Sequence, residues 1–95
     1  LHLGPGYANG AANTHNARRA FSPIVNIVGD HATTHHGLDA PLTSDIASLA
    51  ATSSVAVLTT GVDGDPARAT AAAFDASLRA PGGPATLIVP ADHAW

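Results

Sequence analysis

The chain has 95 residues, 45% of them hydrophobic and only 4% aromatic, with four Arg, no Lys, seven Asp, no Glu and no Cys. A net charge of −3 excludes a nucleic-acid surface built on clustered basic groups, and the lack of cysteine excludes disulfide, thiolate and cysteine–zinc chemistry. No apolar run approaches the ~18 residues of a membrane span and no charged-then-apolar leader is visible, and the length suits one small domain that buries roughly 60–65% of its extended-chain surface.

In chain order, Leu1-His2-Leu3 reads as the end of a buried strand that begins before Leu1. The chain therefore reads as a segment of a longer protein, about the second half of an α/β domain. Gly4-Pro5-Gly6 reads as a tight turn, since glycine admits dihedrals closed to other residues and proline presets φ. A helix is expected to open near Asn9 and to run to about Ala20, packing closely through Ala8, Ala11, Ala12, Ala17 and Ala20. Arg18 and Arg19 should be solvated on it, and Ser22-Pro23 ends it.

Ile24–Val28 is a short β-branched run, too short for a helix and suited to a buried parallel strand. Gly29 is expected to end it. Residues 30–41 form a His- and Thr-rich loop at the strand's carboxyl end. A short helix follows, capped by Thr43 or Ser44, with Asp45 in its first turn and Ile46 and Leu49 turned to the core. Val55–Thr60 is the next strand. Residues 61–65 form a turn, and Val62-Asp63-Gly64-Asp65 is read as no more than that. Pro66 suits a first helical position, and a helix over 67–80 is expected to bury Ala69, Ala73, Phe74 and Leu78. Pro81-Gly82-Gly83-Pro84 stops it. Ala85–Val89 is a third strand. Helices alternating with short buried strands predict an α/β fold, a three-layer sandwich around a parallel sheet with right-handed crossovers.

Ligands in open α/β sheets gather at the strands' carboxyl edges, where helix N-termini also lie. Two stretches reach that edge. The first is 1–19. A plain strand-to-helix turn is one reading of it. A second is a dinucleotide fingerprint, with Gly4, Gly6 and Gly10 in a loose glycine pattern and Asp30 as the acidic residue about 20 positions on, which would make the chain a Rossmann-type module. The second stretch is the loop that holds Asp30, His31, His35, His36 and Asp39. It is either a solvated loop, a metal site built on His31 and His35, or a carrier of active-site histidines. His2, beside the glycine turn, is either a core histidine bonded to backbone or an acid–base group working near neutral pH.

A third reading of the first stretch comes from resemblance. Gly4-Pro5-Gly6-Tyr7-Ala8-Asn9, then Ser22-Pro23-Ile24-Val25-Asn26-Ile27-Val28-Gly29, then the segment Gly37 to Asp45, and last the strand Ala85 to Pro90 follow in the order seen in thiamine-diphosphate-dependent enzymes. The chain resembles their N-terminal pyrimidine-binding domain, in the acetolactate synthase and benzoylformate decarboxylase group, over nearly all 95 residues. It keeps Asp39-Ala40 but has Pro41, Leu42 and Thr43 where acetolactate synthases continue differently, and Asp30 where they carry Gln. The resemblance implies a partial pyrimidine-binding domain over residues 1–95, in a carboligase or decarboxylase acting on 2-oxo acids. It implies thiamine diphosphate as cofactor, with its magnesium held by a separate domain. Gly4, Pro5, Gly6 and Asn9 would bind the cofactor's pyrimidine side, and His2, His35 and His36 would be catalytic. The family's activating Glu would lie upstream, since this chain has none. A homodimer or homotetramer and no activity for the fragment alone are also implied. The Ala-, Arg- and Asp-rich, Lys-poor composition suggests a bacterial source, the lack of Cys fits a cytoplasmic location, and charge and hydropathy give no expectation of a nucleic-acid or membrane partner.

Overall fold

A computed structural model describes residues 1–61 and 65–95. Positions 62–64 of the expected turn over 61–65 lie outside the described residues. Helix α1 (Leu3–Arg19) leads to strand β1 (Ile24–Asp30), a 3-10 helix (Thr33–Leu38), the short helix α2 (Ile46–Ala51), strand β2 (Ala56–Thr59), helix α3 (Pro66–Leu78) and strand β3 (Pro84–Pro90). A last 3-10 turn covers Ala91–His93. The sheet has the order β1-β3-β2 and both pairings are parallel. The expected α/β architecture is therefore present, with helices on both faces of a parallel sheet.

The strand period of two sorts the core into two layers. Val28 and Ile88 point to one face, where Tyr7 of α1 and Ile46 and Ala50 of α2 meet them. Ala85 and Leu87 point to the other, where Ala73 of α3 covers them, with Val25, Ala56 and Leu58 alongside. Strand β3 lies in the middle and is buried at every position but Val89. Its first residue is proline, which has no amide to donate and is accepted at a strand's start. Polar groups inside the first layer are paired: Tyr7 Oη lies 3.0 Å from Ser53 Oγ, and Ser54 Oγ lies 2.7 Å from Thr86 Oγ1.

Several expectations change. Gly4-Pro5-Gly6 is not a turn before the helix but its first turn, since α1 starts at Leu3 with His2 as the N-cap. The first helical amides have no intrahelical acceptor, so Pro5 loses nothing there. The chain reverses at Leu3 instead, whose φ is +57°. A left-handed leucine costs about 1–2 kcal/mol, and its burial to 4% exposure offsets this. Before it, Leu1 and His2 do extend the sheet: the Leu1 amine donates to the Ile27 carbonyl at 2.8 Å, the Gly29 amide donates to the Leu1 carbonyl at 3.0 Å, and His2 bridges Gly29 in parallel.

Strand β1 continues through Gly29 to Asp30 rather than stopping at Val28, because those two residues pair with Val89 and Pro90. The helix-facing assignments also shift. On α1 the buried residues are Leu3, Gly4, Tyr7, Thr14 and Ala17, and Ala8, Ala12 and Ala20 are exposed. On α2 Ala50, not Leu49, accompanies Ile46 inward. On α3 Ala73 and Ser77 are buried, whereas Phe74 and Leu78 are more than half exposed. On α2 and α3 a small residue lets the helix approach the sheet closely and the larger neighbour is turned outward, whereas α1 buries Leu3 and Tyr7 and leaves Ala8, Ala12 and Ala20 exposed.

Candidate active site at the carboxyl edge of the sheet

Asp30 is the last residue of β1, so its carboxylate emerges at the carboxyl edge. Its Oδ1 accepts from the His31 amide at 2.7 Å. Its Oδ2 lies 3.2 Å from His36 Nε2, which is also 3.2 Å from the His31 carbonyl oxygen. Both neighbours of Nε2 are acceptors, so Nε2 carries the proton. In the neutral ring Nδ1 is then the lone-pair nitrogen, and the His36 side chain is 47% exposed. Asp30 thus orients an imidazole that can take up a proton. The 3-10 helix over 33–38 makes this contact, because it folds the chain back so that residue 36 returns to residue 30. A loop without helical structure was expected here.

Next to this pair is a cavity of about 290 Å³, lined by Asp30, His31, His36, Thr43, Ser44 and Asp45. Two buried polar atoms on its lining residues, His31 Nε2 and Thr43 Oγ1, have no hydrogen-bond partner among the described residues. Helix α1 abuts the same wall. A Cβ on Gly4 would fall on the side chain of Ser44, so glycine is required there for the approach of two chain segments. Asp45 caps α2 and accepts from Ser48 Oγ at 2.6 Å and the Ser48 amide at 3.1 Å. The Ser48 hydroxyl first, and then its amide, hold the Asp45 carboxyl below the ordinary carboxylate range.

Further along the edge, Asp92 accepts from the Thr33 hydroxyl and from the Thr33 amide. These bonds, the hydroxyl's foremost, likewise lower its pKa. They tie the 3-10 helix after β1 to the turn after β3. His93 Nδ1 lies 2.8 Å from Thr60 Oγ1 and joins the ends of β2 and β3.

The structure brings some of the expected site residues together and separates others. His36 and Asp30 meet. His2 sits on the strand edge beside Gly29, exposed and with no side-chain hydrogen bond among the described residues. It is neither a core residue nor bonded to backbone through its ring. Gly4 forms part of the wall behind the cavity. Pro5 and Asn9 are exposed on α1, and Gly6 is half-buried. His35 is exposed and outside the cavity lining. His31, which the sequence offered as a metal ligand with His35 or as an active-site histidine, and Thr43, offered only as a helix cap, both line the cavity, each with a buried polar atom that has no partner among the described residues. Among the described residues no group of three or more His, Cys, Asp or Glu side chains could hold a metal ion. Gly4, Gly6 and Gly10 all lie inside α1, so no glycine loop separates strand from helix as a dinucleotide fingerprint requires.

All 95 residues align, at 54% identity, with a Mycobacterium tuberculosis protein provisionally named acetolactate synthase large subunit IlvX. The chain spans 18% of the length of that relative. No protein-family model matches the chain. The aligned stretch includes every element of the site, from His2 to the turn that holds Asp92. Among the described residues no helix is long and apolar enough to cross a membrane.

Proposed function

We propose that this chain is part of a thiamine-diphosphate-dependent enzyme acting on 2-oxo acids, in which it forms one wall of the active site, facing the cofactor's pyrimidine ring. The observation that carries the reading is the 54% identity over the whole chain to a protein named for acetolactate synthesis, combined with a cavity at the carboxyl end of β1 whose wall, at Ser44, is met by Gly4 of α1.

The residues present suit such a group as one wall and not as a complete site. His31 and Thr43 line the cavity, and each has a buried polar atom, His31 Nε2 and Thr43 Oγ1, without a partner among the described residues. The chain has no Glu, so a carboxylate of that type would come from elsewhere in the protein. When bound, the cofactor supplies an electron sink for the carbon chemistry of the 2-oxo acid. The chain's own residues hold and move protons. His36, oriented through Nε2 by Asp30, has Nδ1 available as a base. His2 is an exposed imidazole on the neighbouring strand end, placed for the same work.

The test is made in the complete protein, with thiamine diphosphate, magnesium and pyruvate. Replacing His2 by Ala should lower kcat by about 10²–10⁴-fold and leave cofactor affinity within a few-fold. Normal turnover by the His2→Ala variant would remove His2 from the chemistry. Failure of the complete protein to bind thiamine diphosphate would remove the reading itself.

A further inference from the structure

The 3-10 helix that carries His36 runs for six residues, Thr33–Leu38, and buries none of them. Apolar packing therefore does not fix it. Runs of this helix beyond about three or four residues are uncommon, because its hydrogen-bond geometry is poor. Something outside the helix has to hold it. Among the described residues, the side-chain bonds that tie it to other segments fall into two sets. Towards its end, His36 Nε2 lies 3.2 Å from Asp30 Oδ2 and 3.2 Å from the His31 carbonyl oxygen. At its start, the Thr33 hydroxyl and the Thr33 amide both donate to the Asp92 carboxylate.

Asp92 fills a place that the local sequence leaves open. Thr33 is the first residue of the helix, where amides lack helical acceptors. Ala32 before it makes no side-chain cap bond. Asp92 comes from 59 residues further on and supplies the acceptor with both of its carboxylate oxygens. Strand pairing makes this possible, since Asp30 and Pro90 are partners at the ends of β1 and β3 and the segments that follow them leave the sheet side by side. The turn that bears Asp92 is anchored on its other flank as well, where His93 Nδ1 lies 2.8 Å from Thr60 Oγ1. A 3-10 helix has about three residues per turn, so Thr33 and His36 lie one above the other on the same face. Where Thr33 is pinned thus sets where the His36 ring returns to Asp30.

We propose that Asp92 is a positioning residue for His36, which clamps Thr33 from the turn after β3 and so holds the His36 imidazole against Asp30. The use of that imidazole as a base rests on the proposed function, and its placement does not.

The complete protein, isotope-labelled at histidine, tests the placement by NMR without cofactor. Asp92→Ala should speed exchange of the His36 Nε2 proton by at least about tenfold. Thr33→Val keeps the amide bond and should speed it less. Thr33→Ser keeps both donors and should leave it as in the wild type. Asp65→Ala is the control for a lost carboxylate cap, since it removes the acceptor of the Arg68 amide on α3, and should not change the His36 proton. Turnover of pyruvate is the second readout. Asp92→Ala and His36→Ala should each lower kcat by at least about tenfold, and the double variant should lose no more than His36→Ala alone. An unchanged His36 proton in Asp92→Ala would overturn the proposal. So would an equal change in Asp65→Ala, or losses of turnover that multiply in the double variant. A His36→Ala protein that turns over like the wild type would instead overturn the role of His36 as a base, leaving the proton exchange to decide its placement.

Discussion

The two ends of the sheet differ in charge and in what their cavities can do. At the carboxyl edge lie Asp30, Asp45, Asp65 and Asp92, with His2, His31, His36 and His93. At the amino edge lie Arg18 and Arg19 in the last turn of α1, and Arg79 at the end of α3. Part of this polarity is only helix chemistry. Asp45 and Asp65 cap helix N-termini and the arginines sit at C-termini, where the helix dipole favours each. The larger cavity, about 480 Å³, is at the amino edge, lined by Arg18, Arg19, Phe21, Val55, Pro81 and Gly82. Its arginines are accounted for by helix ends, and Arg18 Nη1 is occupied by the Ser54 carbonyl oxygen at 3.1 Å. The smaller cavity has what helix ends do not explain: a histidine held by a carboxylate, and lining residues with two buried polar atoms that have no partner among the described residues. Chemistry, rather than volume, therefore places the candidate site at the carboxyl edge.

The comparison can be broken most sharply at Gly4. Gly4→Val drives a side chain into Ser44 and separates α1 from the cavity wall. It should cost about 2–3 kcal/mol in denaturant unfolding. Gly6→Ala is the control two residues on. Its Cβ would meet His2 Cβ at 3.5 Å, an ordinary contact, so stability should rise by about 0.4–1 kcal/mol. Equal losses at both positions would remove Gly4 as the contact that fixes the wall.

At the amino edge Arg18→Ala removes the bond to Ser54. It should cost about 1 kcal/mol and leave the NMR signals of His31 and His36 in place. At the carboxyl edge Asp30→Ala should leave global stability nearly unchanged. The Nε2 proton of His36, slowed in its exchange by Asp30, should then exchange freely and lose its NMR signal. The smallest effect is on pH dependence. Asp45 and Asp92 have folded-state pKa values below their ordinary value, so the unfolded chain binds protons first as pH falls. Their stabilisation is fully present above the ordinary carboxylate pKa of about 4, and is lost as pH falls from there through the lowered values. Replacing both by Asn should flatten the acid limb of the stability curve in that window.

The strands were legible in the sequence because β-branched runs bounded by Gly and Pro have few alternatives. Val55–Thr60 even matches the hydrogen bonds just beyond β2, where the Val55 and Thr60 amides donate to the Pro84 and Ile88 carbonyls. The start of α1 was not legible. Gly-Pro-Gly reads locally as a turn, and only the contact of Gly4 with Ser44, forty residues on, makes it helical packing. The outward turn of Phe74 and Leu78 was hidden for a similar reason. Apolar spacing on α3 marks two faces, and an alanine-rich helix seats its smaller face on the sheet. The edge that carries the site followed from topology. Which histidine meets Asp30 did not, because that depends on a 3-10 helix that residue spacing does not announce.

The central claim is that residues 1–10 and 30–45 form one wall facing a bound cofactor. The most direct test is hydrogen exchange in the complete protein, with and without thiamine diphosphate and magnesium. The account predicts slower exchange in both segments when the cofactor binds, and little change around Arg18, Phe21 and Gly82 at the amino edge. Saturating cofactor binding that leaves both segments unprotected would contradict it.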